Sequence, residues 1–538
     1  MMCKCNHRAT RRRRPPKTCP WQVLAALALA LTACGDTRVP PNVIVILADD
    51  LGWADVGFHG GPIATPAIDR LAAEGMALER MYTAPMCTPT RTMLMTGRDP
   101  IRMGLAYEQI NPWDNAGVPV DEHFMPESFR AAGYQTAMVG KWHLGHTQGS
   151  YHPNARGFDY YYGHLNTAVD YYAHTRRGGH DWQRNGKSVD ERGEYVTTLQ
   201  GRDAARIIRD REEDKPLFLY VAFNAPHNPM QAPEELIQKY AGLGAREAAA
   251  EQPGFLQALG PLPAEVRQRF VGARNVYAAM VDAMDQAVAE ILQALDDEGI
   301  AEETVVLFLS DNGGFNIFGA DNTPLRGQKA QTFEGGVRVA AALRWPGTLP
   351  PGGSSEQFLT AMDVFPTLAR AAGIELHNGK PLDGVDRWAA LRGGQPVPRE
   401  RDLYLVSEVP IPGQVFYSVH SGPWKLVKVE RPGELPAVTH LFHLEDDPNE
   451  SIDLASQHPA IAEDLERRLS AWLELHPADG LRRHPGPHPG WLPPLDWTST
   501  MVPQDELQET TSAEFLGESD ADPGSAADVL LYRPARAL

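Results

Sequence analysis

Four short apolar runs recur in the first 310 residues, and each ends abruptly in polar, chemically capable side chains. NVIVIL (42–47) meets Ala48-Asp49-Asp50, and TAMVG (136–140) meets Lys141-Trp142-His143. LFLYVAF (217–223) meets Asn224-Ala225-Pro226-His227, and TVVLFLS (304–310) meets Asp311-Asn312-Gly313-Gly314. The runs are β-branched and continuous rather than alternating, which predicts strands buried on both faces of a mainly parallel sheet. Helical stretches lie between them. TPAIDRLAAEG (65–75) offers Thr65 as N-cap, Pro66 as first helical residue and Gly75 as terminator. A longer helix is predicted from Val266 to Gly299. Strands alternating with helices predict an α/β domain with a large, mainly parallel sheet. Ligands of open α/β sheets bind beyond the carboxyl ends of the strands, so four such ends carrying Asp, Lys, His and Asn predict one site.

The pattern changes near residue 400. FYSVHSGPWKLVKV (416–429) and HLFHLEDDP (440–448) read as shorter, half-buried antiparallel strands, and PAIAEDLERRLSAWLELH (459–476) as one amphipathic helix. The expected organisation is a domain over 40–400, a smaller C-terminal antiparallel α+β subdomain over 401–476, and a Pro/Gly/His-rich extension over 477–538. That extension turns acidic at 504–525 and has little core of its own. The histidines between 439 and 488 read as scattered, solvent-facing residues rather than a metal site. There is no internal repeat.

The N-terminus changes the picture of where the chain works. RATRRRRPPK (8–17) is basic, WQVLAALALAL (21–31) is apolar, and small residues follow, which is the pattern of an export signal. An eleven-residue run is too short for a permanent membrane span. LTAC (31–34) resembles a bacterial lipobox. That resemblance implies a signal peptide over 1–33, lipid on Cys34, and a membrane-anchored protein of the periplasm or cell surface; plain soluble export is the alternative. Residues 1–33 hold seven of the 50 Lys and Arg and no acid, so the remainder carries 43 basic against 69 acidic side chains, a formal charge of −26. Such a surface repels polyanions, which excludes nucleic acid as partner and requires a local cationic cluster for any anionic substrate. The 538 residues, 43% hydrophobic, are otherwise ordinary globular composition.

Cysteine usage poses a sharper question. The five are Cys3, Cys5, Cys19, Cys34 and Cys87, so processing would leave Cys87 alone in an oxidising compartment. A single free thiol there is a hazard; it is either buried and inert or chemically replaced. Asp49, Asp50, Asp311 and Asn312 offer only oxygen ligands, which suits a hard cation. Carboxylates crowded at one rim repel by ~4 kcal/mol per pair at ~4 Å, which a divalent ion relieves; the alternative makes Asp49 and Asp311 helix caps. A helix starting near Pro89 would place residue 87 at its N-terminus, where an oxyanion is favoured, and Arg91 in its first turn. Lys141 and His143, two apart in an extended stretch, would face one side.

CTPTR (87–91) fits the C-x-P-x-R motif of the type I sulfatases, extended by TGR at 96–98. ADDLGW (48–53), GKWHLG (140–145), APHNP (225–229), SDNGG (310–314) and LRGQKAQTFEGGVR (325–338) fit the same family in order. DVGFHGG (55–61) and RGFDYYYGHLNTAVDYYAH (156–174) resemble its arylsulfatase B branch. The resemblance covers roughly residues 40–475 and implies an alkaline-phosphatase-like α/β fold. It implies that a formylglycine-generating enzyme converts Cys87 to an aldehyde, whose hydrate attacks sulfur. One Ca²⁺ (or Mg²⁺) would be held by Asp49, Asp50, residue 87, Asp311 and Asn312. Arg91 would stabilise the ionised diol, and Lys141 and Lys329 would bind sulfate oxygens. His227 would serve the leaving oxygen, and His143 would take the proton of the remaining hydroxyl. His59 and His146 have no matching role, and Asp363 reads as packing and capping. The implied activity is hydrolysis of sulfate monoesters on a sugar, such as an N-acetylgalactosamine 4-sulfate unit, or of aryl sulfates; the acidic chain favours a short oligosaccharide. The alternatives are a phosphate or phosphonate monoester hydrolase and a silent glycan-binding homologue with Cys87 unmodified.

Overall fold

All four apolar runs form strands of one ten-stranded sheet, in a computed structural model that describes residues 40–243 and 273–501 apart from 377–378, 394, 410–412, 432, 434–435 and 483–485. The export signal, Cys34, residues 266–272 of the long predicted helix and the acidic stretch at 504–525 lie outside the described residues. In chain order the strands are β1 (Asn42–Ala48), β2 (Met76–Leu78), β3 (Gln135–Lys141), β4 (Tyr160–His164), β5 (Gln183–Arg184), β6 (Lys187–Ser188), β7 (Leu217–Ala222), β8 (Thr304–Ser310), β9 (Ala341–Arg344) and β10 (Gly353–Ser355). They lie in the order β10-β2-β9-β8-β1-β7-β3-β4-β5-β6. The five central strands, β8 to β4, are parallel; the sheet turns antiparallel at β8/β9 and β4/β5. Register aligns Ala48 with Ser310, Leu47 with Ala222 and Lys141 with His164, so the polar residues that follow share one rim.

The continuous apolar runs have a simple cause: both faces of the sheet are covered. Ile44 and Ile46 enter one core with α1 (Pro66–Glu74), and Val43, Val45 and Leu47 enter the other with α2 (Cys87–Thr96). The first core is completed by α3 (Val196–Arg209) and α4 (Ala273–Asp297), the second by α5 (Ala361–Ala371). Asp363 caps α5: its carboxylate accepts from Thr360 N (2.8 Å) and pairs with Arg399 (2.6 Å).

Both predicted caps of α1 work differently from expectation. Thr65 Oγ1 accepts from Gly57 N (2.7 Å) and donates to Asp69, so it does not cap. The orphan N–H groups of Ala67 and Ile68 donate instead to Asp285 of α4, at 3.1 and 2.8 Å. Gly75 is not left-handed; a Cβ there would lie 2.1 Å from Leu343 O, so the glycine admits β9. Asp285→Ala is expected to lower stability by about 1–2 kcal/mol through loss of this cap. Burial pushes the Asp285 carboxyl up to about 7, against the two N–H groups that lower it. The folded chain therefore holds this proton more tightly than the unfolded one, whose ordinary value is 3.8. The residue's contribution is full below that value and declines as pH rises to 7. Urea unfolding of both proteins at pH 4 and pH 7 checks it: the difference between them should be smaller at pH 7.

A second sheet follows, of β11 (Leu403–Glu408), β12 (Val415–Ser421), β13 (Trp424–Glu430) and β14 (Val438–His443), all antiparallel. β11 adds a strand that the hydrophobic pattern did not indicate. Val419, Leu426 and Leu441 on one face pack against Leu465, Leu469 and Trp472 of α6 (Pro459–Leu473). The opposite face, with Phe416, Val427 and Phe442, receives Phe333 from the loop that carries Lys329. The described part of the extension is packed rather than free. Trp497 is 2% exposed and donates Nε1–H to Arg176 O, Thr500 Oγ1 donates to His146 O, and Gly480 abuts Gly104. Among the described residues no helix is long and apolar enough to cross a membrane.

Candidate active site

The acids, lysine and asparagine singled out at the strand ends meet His227 at one buried point. Asp49 and Asp50 follow β1, and Asp50 is held at φ 65°, a left-handed conformation that costs a non-glycine residue about 1 kcal/mol. Its N–H donates to Asp311 Oδ1 (3.2 Å), and Tyr277 of α4 donates to its carbonyl (3.0 Å), so the two strand ends are tied together. Cys87 is the first residue of α2, two positions earlier than expected, with Met86 as N-cap. Its sulfur is fully buried and lies 3.5 Å from both Asp49 Oδ1 and Lys329 Nζ. Asp49, Asp50, Cys87 and His227 present ligand atoms within 4.8 Å of one another. The described histidines from 440 to 488 do not enter this group; His440 pairs with Asp453 and His443 with Asp446.

Arg91 lies one turn into α2, wholly buried. Its Nη2 donates to Asp49 (3.1 Å) and Asp311 (3.0 Å), and its Nη1 to Lys141 O (3.0 Å). The guanidinium thus locks β1, β3 and β8 ends together and holds the carboxylates apart. Lys141 Nζ donates to Asp49 (2.5 Å) and Lys329 Nζ to Asp50 (2.8 Å). Lys329 sits in a loop fastened at Lys329 N to Gly314 O (3.2 Å) and at Ala330 N to Pro85 O (2.8 Å), hence beside the segment that bears Cys87. Asn312 Nδ2 donates to Asp50 (2.7 Å), while its Oδ1 is buried without a partner.

The stretch after β3 is not extended: His143 has φ 60°. Its Nε2 reaches Ile110 O (3.0 Å); a carbonyl only accepts, so the proton is on Nε2 and the buried, unpartnered Nδ1 carries the lone pair. The same reasoning places the His227 proton on Nδ1, which faces Asn228 O (2.6 Å), and leaves Nε2 directed at Asp50 (3.7 Å). Burial lowers the pKa of both rings, with Lys141 adding to it at His143 and Lys329 at His227. Burial raises Asp49, but Lys141, His227 and Arg91 outweigh it and hold that carboxylate below its usual range. Asp311 goes the other way, pushed up to about 6 by burial and by Asp49. Burial, Asp311 and Asp49 push the Cys87 thiol far above its ordinary value, so as a thiol it is protonated and a poor nucleophile. His59 and His146 lie outside this group, bonded to Trp53 O and Pro112 O.

Sequence reading missed His164, at the end of β4 beside Lys141, wholly buried with neither ring nitrogen partnered. It also missed Tyr220 of β7, whose pKa burial raises and the adjacent Arg91 lowers. Both lie inside apolar or aromatic runs, where nothing marks them as polar positions.

The site suits a divalent cation. Its oxygen donors, the carboxylates and an amide oxygen without partner, are hard-ion chemistry, with His227 Nε2 and the residue-87 side chain at the same point. Asp49, Asp50 and Asp311 balance Arg91, Lys141 and Lys329 in formal charge, so a dication leaves the pocket positive toward an anion.

Comparison with known proteins agrees with this geometry. The sulfatase family model matches residues 41–374. Mouse arylsulfatase J is 31% identical over 477 residues, covering 80% of this chain and 75% of its own length. N-acetylgalactosamine-6-sulfatase of dog is 34% identical over 400 residues, covering 70% of each chain. The solved structure of Ps i-CgsB is 30% identical with a TM-score of 0.70, covering 88% of this chain and 100% of that one. With the rim of acids and cations gathered about Cys87, the chain belongs to the sulfatase family, in the alkaline phosphatase superfamily, and is a sulfuric ester hydrolase.

Proposed function

We propose that this sulfatase removes sulfate from a sugar in a short anionic oligosaccharide, with formylglycine at position 87 and a bound Ca²⁺ or Mg²⁺. The observation that carries the reading is the convergence of Asp49, Asp50, Lys329 and His227 on a Cys87 whose own thiol is buried and protonated. The sugar rests on relatives: one is an N-acetylgalactosamine-6-sulfatase, and one similar structure holds k-i-k-neocarrahexaose. Export and a lipid anchor on Cys34 belong to the same proposal, as does maturation by a formylglycine-generating enzyme.

The hydrated aldehyde supplies two hydroxyls on one carbon, and the cation, held by Asp49, Asp50, Asp311 and Asn312, supplies Lewis acidity beside it. The chain's own groups do the rest. Lys141 and Lys329 bind sulfate oxygens as point charges, and Arg91 keeps the carboxylates in register. His227 donates a proton to the leaving oxygen from Nε2, which requires the imidazolium form, since its neutral proton is on Nδ1; burial and Lys329 disfavour that form in the empty site, and the negative charge of the bound sulfate ester beside the ring favours it. His143 accepts the proton of the second hydroxyl at Nδ1, the ring nitrogen without a partner. Its depressed pKa keeps that nitrogen free at neutral pH.

The test joins a peptide mass spectrum across residue 87 with turnover of defined sulfated mono- and disaccharides. An aldehyde at 87 and release of inorganic sulfate from a sugar are expected. An intact thiol in fully active enzyme, or turnover of phosphate esters alone, overturns the reading.

A further inference from the structure

Two adjacent arginines near the site have no assigned role. Thr175–Arg176 and Gly179–His180 form a short hairpin whose turn residues, Arg177 and Gly178, both have positive φ (54° and 93°). Such a turn favours Asn-Gly; an arginine in its first position is strained. Neither Arg176 nor Arg177 makes an ion pair or a side-chain hydrogen bond among the described residues, and Arg176 Nε is buried without a partner. Asp181 is the carboxylate that acts on Arg176, and its two oxygens already accept from Leu165 N, Asn166 N and Asn166 Nδ2. Burial and the neighbouring Arg177 charge lower Arg176 to about 10, so it stays cationic at neutral pH.

The hairpin is held from both sides. The extension pairs with it at His180 and Asp496, and Trp497 bonds Arg176 O at 3.1 Å. The Arg177 guanidinium lies 5.3 Å from the ring centre of Trp113, a cation–π distance that fixes it while leaving its fork of donors free. Trp113 follows Ile110 and Pro112, whose carbonyls hold His143 and His146, so the pair stands on the His143 side of the pocket. Arg176 adds to the burial that depresses His146 and His164, and His164 also feels Lys141 and Arg91. Two guanidinium groups without an ion pair among the described residues, on the His143 side of the site, are free to take an anion.

We propose that Arg176 and Arg177 form a second anion subsite, which takes a sulfate or carboxylate on the sugar next to the one being desulfated. The inference rests on the sugar reading above. Each charge-assisted contact of this kind is worth about 10- to 100-fold in affinity. The experiment uses the full-length enzyme and its Arg177→Gln and Arg176→Gln variants. The substrates are a small aryl sulfate, a disaccharide sulfated once, the same disaccharide with a second sulfate on the neighbouring sugar, and one with a uronate there. For the doubly anionic substrates kcat/KM should fall about 10- to 100-fold, through KM, while the aryl sulfate and the singly sulfated disaccharide are unchanged. A loss confined to the second sulfate, or to the uronate, names which anion the subsite reads. An equal loss on all four substrates, or none on either doubly anionic one, overturns the subsite while leaving the sugar reading intact. Turnover of the aryl sulfate with no sugar sulfate cleaved overturns that reading, and the subsite with it.

Discussion

Cys87→Ser is expected to fold normally and to lose steady-state sulfate-ester hydrolysis by ~10⁴-fold or more. The side chain is wholly buried at the first turn of α2, and serine is smaller than cysteine by little, so the thermal midpoint should move only a few degrees. The chemistry changes far more. A serine hydroxyl beside Asp49 and Lys329 can attack sulfur with the lysines in place. It then leaves His143 Nδ1 nothing to deprotonate, because the attacking oxygen was the only hydroxyl on that carbon. The variant should therefore release about one alcohol per active site and stop, with the sulfate remaining on the introduced side chain. A burst measured with an aryl sulfate, followed by peptide mass analysis, checks both halves. Sustained turnover near the wild-type rate would remove the second hydroxyl from the mechanism. His143→Ala is the informative companion: it should also stall after attack, since it removes the acceptor rather than the hydroxyl.

What was legible in the sequence follows from where the chemistry sits. Asp49, Lys141 and Asp311 stand at the ends of buried parallel strands, where an apolar run stops at a polar residue, and strand alignment then brings them to one rim. Local pattern carries that information. It does not carry partners from distant segments. Asp285 caps α1 from 217 and 218 residues away, so Thr65, the local candidate, looked sufficient. Arg91 has the reach to touch residue 87 by helical spacing, yet its donors go to Asp49, Asp311 and Lys141 O, a choice set by tertiary packing. The left-handed turn at His143 has no glycine to announce it. The same blindness hid the second sheet's grip on the active-site loop, since it is made by a lysine inside the strand WKLVKVE, where alternation reads Lys425 as a solvent-facing residue.

Lys425→Met is expected to cost about 3–5 kcal/mol of stability, because it strips the cation from between two buried carboxylates. Lys425 Nζ lies 2.9 Å from Glu334 and 2.8 Å from Glu450, all three wholly buried. Glu450 also accepts from Glu334 N (2.6 Å), and Tyr82 donates to Glu334 (2.9 Å). Methionine fills the space but leaves the two acids facing each other. Burial already pushes Glu450 up to about 7, Lys425 opposing and Glu334 adding to it. Its folded value therefore lies above the ordinary 4.5, so a proton binds the folded chain more tightly. Without the ammonium that preference grows, and the deficit of the variant should shrink as pH falls below 7. Lys425→Met combined with Glu450→Gln should recover part of the loss at pH 8. Urea midpoints for the single and double variants at pH 6 and 8 test each step; a Lys425→Met midpoint equal to wild type would refute the buried-charge account. The effect should reach the chemistry too. Glu334 opens the short helix at the end of the loop that carries Lys329, and Phe333 beside it packs on β12, β13 and β14. Loosening Glu334 should displace Lys329 and raise KM for the sulfate ester more than it lowers kcat, which separates loss of positioning from loss of the catalytic groups themselves.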